Sequence, residues 1–160
     1  AGRPTPLSVH VRPYAQRALL DGVEIARGEQ VVTYAIAPGK PHVIQIEHAC
    51  CVPFVREITA EEAARAGELR VPLEPRPARL RVDGDPATRV SIGDRLLGTA
   101  GESQRAPLAV PIPQNGDNPY EGTARLSLEL PGKAPRDVRV TLRAGAEIIV
   151  PGPGADEEAP

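Results

Sequence analysis

Short segments in which apolar and polar residues alternate recur along this chain, and this pattern constrains its fold more than any other feature. The clearest examples are residues 7–11, 69–73, 80–82, 126–130 and 138–142. Successive side chains of a β-strand face opposite sides of the sheet, so each segment offers one apolar face to a core. Many short strands separated by Gly and Pro turns are typical of a β-sandwich or barrel and not of a βαβ fold.

The turn residues between these segments agree with an all-β fold. Asp21-Gly22 stands between two apolar runs and predicts a tight hairpin, because both central positions of such a turn favour positive φ. Gly93-Asp94 predicts a similar turn in the second half of the chain. One short helix is expected in the first half, because Thr59 and Glu62 have capping-box spacing and Gly67 follows a run of alanines.

The two halves of the chain repeat the same order of segments. Alternating strands at 7–11 and 78–82 are followed by hairpin signals, then by apolar strands at 31–36 and 108–112. We therefore predict two small tandem β-sandwich modules, residues 1–75 and 76–153, with a stiff boundary near Pro75-Arg76-Pro77. Residues 154–160 are acidic and poor in apolar residues, which predicts a disordered tail or linker.

The repeated motifs resemble the PEGA domain of bacterial surface and signalling proteins. In the second module they are Pro86-Ala87, residues 90–93 and residues 97–99; in the first they are residues 13–15, 19–22 and 38–42. The resemblance implies a small PEGA-like or transthyretin-like β-sandwich without catalytic residues. It also implies an extracytoplasmic position in the periplasm or at the cell surface, within a larger membrane-anchored protein such as a Ser/Thr protein kinase.

Composition limits the classes of function that the chain can have. The net charge of -2 does not favour nucleic acid, and no apolar run approaches the roughly 20 residues that span a bilayer. The chain contains no His-Arg-Asp, no Asp-Phe-Gly and no Gly-x-Ser-x-Gly. We expect the chain to be a scaffolding region that binds a protein partner or a cell-envelope polymer. We expect it to have no enzymatic activity and to bind no cofactor. A carbohydrate-binding module and a structural stalk are the alternatives, and the oligomeric state is left open.

The loop at residues 113–122 carries the candidate binding residues. Long polar loops on rigid sheets often serve recognition, and this one offers amide, carboxylate and aromatic groups for a carbohydrate or a peptide. The candidates are Asn115, Asp117, Asn118 and Tyr120. The alternative is an insertion without a function, because a longer loop adds little entropic cost to folding.

The cysteines and histidines of the first half are residue types that serve as metal ligands. His42, His48 and Cys50 share the parity of one strand face, but paired Cys-x-x-Cys or His-x-x-x-His spacings are absent. We therefore predict no metal, and expect a buried thiol beside a hydrogen-bonded histidine. Cys50 and Cys51 would face opposite sides of a regular strand, which favours one buried and one partly exposed thiol over a vicinal disulfide.

Overall fold

The computed structural model of the protein describes residues 2–114 and 116–153. The chain divides into two compact units, Ala1–Glu74 and Pro75–Pro160, next to the predicted boundary at Pro75-Arg76-Pro77. The described residues form fourteen strands in four sheets and two short helices. The all-β class predicted from the alternation is confirmed. The predicted tail at 154–160 lies outside the described residues.

Unit 1 contains a three-stranded sheet and a four-stranded sheet. Its elements are β1 (Thr5–Ala15), β2 (Arg17–Leu20), β3 (Val23–Ala26), β4 (Glu29–Ile36), β5 (His42–Glu47), β6 (Phe54–Ile58), α1 (Ala60–Ala66) and β7 (Glu68–Pro72). In the first sheet, β1 lies between an antiparallel β4 and a parallel β7. The second sheet has the order β3-β2-β5-β6 and is antiparallel throughout.

Unit 2 has the same strand order. Its elements are β8 (Ala78–Asp83), β9 (Arg89–Ile92), β10 (Arg95–Thr99), α2 (Ala100–Arg105), β11 (Leu108–Val110), β12 (Glu121–Glu129), β13 (Arg136–Arg143) and β14 (Glu147–Pro151). Here β8 lies between an antiparallel β11 and a parallel β14, and the other sheet runs β10-β9-β12-β13. Each strand of unit 1 thus has a counterpart seven strands later.

The apolar faces of the sheets form an aliphatic core in each unit. The fully buried leucines and isoleucines include Leu7 and Ile44 in unit 1 and Leu80 and Leu126 in unit 2. The largest fully buried side chain is that of Tyr34 in β4, and its hydroxyl donates to the Gln45 carbonyl oxygen of β5 at 3.4 Å. Burial raises the pKa of Tyr34 to about 12, so the hydroxyl keeps its proton and joins the two sheets of unit 1.

The structure confirms the predicted helix and adds another. Thr59 caps α1 with a complete capping box to Glu62, and the helix ends at Gly67. The prediction of a single helical turn is wrong, because α2 begins after Thr99 in unit 2 and has its own capping box with Glu102. Thr99 and Glu102 have the same Thr-x-x-Glu spacing as Thr59 and Glu62, but residues 97–99 also match the PEGA-like motif, which does not indicate a helix.

Candidate functional site

The loop at residues 113–122 folds back on itself. The Asn118 side-chain oxygen accepts the Tyr120 backbone N–H at 2.9 Å, and the Gln114 amide donates to the carbonyl oxygens of Ile112 and Pro119. The Tyr120 side chain is buried, whereas Asp117 and Asn118 are exposed. Asn115, the other predicted binding residue, lies outside the described residues. The loop therefore presents Asp117 and Asn118 to solvent and uses Tyr120 as an anchor.

His42, the buried histidine at the start of β5, pairs with a carboxylate from the predicted hairpin turn. Asp21 and Gly22 both have positive φ between β2 and β3, as the Asp-Gly prediction requires. The Asp21 carboxylate lies 2.5 Å from His42 Nδ1 and accepts the Val43 backbone N–H at 2.8 Å. Its hydrogen bond with His42, followed by that from Val43, lowers the pKa of Asp21.

The second ring nitrogen of His42 is also engaged. His42 Nε2 lies 3.1 Å from the Ala37 carbonyl oxygen. That carbonyl occupies the position where a nucleophile would have to stand if His42 and Asp21 were part of a catalytic triad. The contacts at the two ring nitrogens fasten the β2–β3 turn to the chain that enters β5.

We expect Asp21→Asn to lower the urea midpoint of unfolding at about pH 7, and we expect this difference from the wild type to shrink as the pH falls below 3.8. A carboxyl whose pKa is depressed in the folded state stabilises the protein above its unfolded pKa, and this contribution is lost as pH falls through the folded pKa. The ordinary pKa of an aspartate side chain is 3.8, and the pKa of Asp21 in the folded protein lies below this value. Midpoints of both proteins measured across this range check the prediction.

The control for this change is Asp94→Asn, because Asp94 is exposed in the corresponding turn of unit 2. Its midpoint should follow that of the wild type at every pH. A penalty for Asp21→Asn that is the same at acid and neutral pH would contradict the pairing of Asp21 with His42.

The strongest chemical grouping in the described residues lies in the connection between β5 and β6. Cys50 and Cys51 form a disulfide there, and both residues are buried. The expectation of one buried and one partly exposed thiol is therefore wrong. It assumed that the strand continues through the cysteines, but β5 ends at Glu47 and the Cys51 N–H closes a turn onto the His48 carbonyl oxygen at 3.0 Å.

His48 lies beside this disulfide because the turn after β5 brings it there, and not because the strand continues to Cys50. Its Nδ1 accepts the Cys50 backbone N–H at 2.9 Å, and the Tyr14 ring meets the imidazole edge to face at a centroid distance of 4.6 Å. Desolvation lowers the pKa of His48. His48 Nε2 is buried and has no hydrogen-bond partner among the described residues. His42, the third residue considered for this site, is instead engaged with Asp21.

The outer face of the three-stranded sheet of unit 1 carries a shallow basic depression. It is lined by His10 and Arg12 from β1 and by Arg70, Val71 and Pro72 from β7. Glu68 places a carboxylate beside this cluster, with one oxygen 3.5 Å from His10 Nε2. The depression can accept an anionic group, but an exposed charge cluster of this kind is ordinarily a solvated face.

No protein-family model, curated protein or solved structure matches this chain. Neither of the two helices in the described part of the chain has the length and apolarity that crossing a bilayer requires.

Proposed function

We propose that the chain is a non-catalytic binding and scaffolding region of two PEGA-like β-sandwich modules, in the extracytoplasmic part of a larger bacterial envelope or signalling protein. The observation that carries this proposal is the repetition of one seven-strand order in both units. A repeated framework presents two sets of surface loops, and loops on a rigid scaffold are where binding residues are most often found. The Tyr34 to Gln45 hydrogen bond between the two sheets of unit 1 supports a sandwich.

The disulfide between Cys50 and Cys51 supports the extracytoplasmic position. Disulfides persist in the periplasm and at cell surfaces, whereas cytosolic reductants keep most thiols reduced. A membrane-bound Ser/Thr kinase is the parent that the motif resemblance favours.

The ligand surface in this proposal is the exposed part of the 113–122 loop. Asp117 and Asn118 stand on a loop that is braced by Gln114 and anchored by Tyr120, so little further ordering is needed on binding. A carbohydrate platform is less favoured, because the Tyr120 ring is buried and cannot stack on a sugar.

Co-sedimentation of the purified chain with isolated peptidoglycan and with envelope polysaccharide tests the proposal. Saturable binding to one polymer, weakened about tenfold by Asp117→Ala combined with Asn118→Ala, is expected for removal of two polar contacts. Asp94→Ala, an exposed change elsewhere in unit 2, is the matched control. Absence of saturable binding would favour a stalk that only spaces other domains.

A further inference from the structure

The geometry points to a redox-gated site for a soft metal ion in unit 1, formed by His48, Cys50 and Cys51 once the disulfide is reduced. One ring nitrogen of His48 and the two cysteine sulfurs lie within 4.8 Å of one another. In the oxidised protein the sulfurs are bonded to each other and cannot bind a cation. Reduction would convert the same three residues into a ligand set of two thiolates and one imidazole.

The spacing of these atoms fits one ion. With metal–sulfur bonds of about 2.3 Å and metal–nitrogen bonds of about 2.0 Å, tetrahedral coordination places two sulfurs about 3.8 Å apart, and a sulfur and a nitrogen about 3.5 Å apart. Both separations fall inside the observed limit of 4.8 Å. Side-chain rotation of the two reduced cysteines is enough to reach them, and one coordination position remains open for water or a fourth ligand.

Hydrogen bonds other than the disulfide hold the connection between β5 and β6 in place. Ala49 N–H donates to the Gln16 side-chain oxygen at 2.7 Å, and Val52 N–H donates to the Glu74 carbonyl oxygen at 2.9 Å. The Cys51 N–H also closes the turn by donating to the His48 carbonyl oxygen at 3.0 Å. We therefore expect the ligand set to survive reduction, so that the ion meets an organised site.

His48 is already in the tautomer that such a site needs. Because Nδ1 accepts the Cys50 N–H, the neutral ring carries its proton on Nε2 and keeps its lone pair on Nδ1, facing the cysteines. An ion bound at Nδ1 would replace the Cys50 N–H there. Thiolate and imidazole together favour ions such as Zn²⁺ and Cd²⁺ over the hard Mg²⁺ and Ca²⁺, which select oxygen ligands.

The gating reaction is a thiol–disulfide exchange with a dithiol reductant. One reductant thiolate attacks a sulfur of the Cys50–Cys51 bond and forms a mixed disulfide, which the second reductant thiol then resolves. Two electrons and two protons pass to the protein, and the reductant leaves as a cyclic disulfide. Binding of a divalent ion then displaces one proton from each thiol, so the bound ion favours the reduced state.

Unit 2 provides an internal comparison for this site. Its counterpart connection, between β12 and β13, is a turn in which Lys133 N–H donates to the Leu130 carbonyl oxygen at 3.0 Å. Residues 130–135 contain neither cysteine nor histidine. The expected stoichiometry is therefore one ion per chain and not one per unit.

The test is a Cd²⁺ titration of the full chain in both redox states. The protein is reduced with excess dithiothreitol, which is removed by gel filtration under nitrogen, and a thiol assay verifies two free thiols. Thiolate-to-cadmium charge-transfer absorption should rise to a plateau at one Cd²⁺ per reduced chain and stay absent in the oxidised chain. His48→Gln should weaken Cd²⁺ binding by at least about tenfold. Removal of a residue that only supports a metal ligand already costs about 10- to 100-fold in affinity, and removal of a ligand itself should cost no less.

Two controls keep the proposal open to contradiction. His10→Gln changes a half-buried histidine of β1 that is not part of the proposed ligand set, and it should bind like the wild type. Cys50→Ser combined with Cys51→Ser should abolish the absorption band, with far-ultraviolet circular dichroism reporting whether that variant folds. No band in the reduced wild type, an equal band in the oxidised chain, or unchanged affinity in His48→Gln would each overturn the assignment.

Discussion

Leu80→Ala is expected to lower the free energy of unfolding of unit 2 by about 2–5 kcal/mol. Leu80 is fully buried at the centre of β8, which is itself the middle strand of its sheet. It stands opposite Leu108 of β11 on one side and Ile148 of β14 on the other. Backbone hydrogen bonds fix both neighbours, so they cannot close the cavity that the lost side chain leaves.

Hydrogen exchange followed by mass spectrometry of the full chain checks this expectation, because it resolves the two units separately. Peptides covering β8 and β14 should lose protection. The control is Leu96→Ala in β10 of the same unit, where the side chain is 58% exposed, and its cost should be below about 0.5 kcal/mol. Equal costs for the two changes would contradict the assigned core.

Period-two patterns predicted strands wherever one face of the strand is buried. In β1, β5, β8 and β12 the buried residues alternate along the strand, so the sequence carried the signal. The strand β6 was missed because its three central residues are all exposed, including Val55 at 60%. The strand β6 forms because it pairs with β5, and such pairing leaves no pattern in the residues of β6 itself.

The residues of one strand carry no signal about its pairing partners, and this limit also decides which contacts of the chemical groups the sequence predicted. Strand parity placed His42 on the face of Ile44 and Ile46, and it is buried there. Its partner Asp21 is 21 residues away and is reached only through the register between β2 and β5. Parity failed for Cys51, because the chain leaves the sheet before the cysteines and turns.

Gly152→Ala is the second change with a large expected effect, and it acts through the backbone rather than the core. Gly152 follows β14, and its N–H donates to the Asp83 carbonyl oxygen at 3.0 Å. A Cβ at this position would overlap that oxygen and approach Val82 Cγ1 to 2.9 Å. Neither contact can be relieved by rotating a flexible side-chain end, so β14 must move away from β8.

We expect Gly152→Ala to cost about 3 kcal/mol, at the upper end of the usual range for overpacking, and to deprotect the β8 and β14 peptides in hydrogen exchange. Gly116→Ala is the matched control, since a Cβ there meets nothing within 4 Å. Gly84 packs against the same segment, and its added Cβ would overlap the Pro153 carbonyl oxygen. Because either alanine forces the same separation, the double variant should cost less than the sum of the two single changes. A fully additive double variant, or a Gly152→Ala protein as protected as Gly116→Ala, would show that the segment after β14 is not held in contact with the segment after β8.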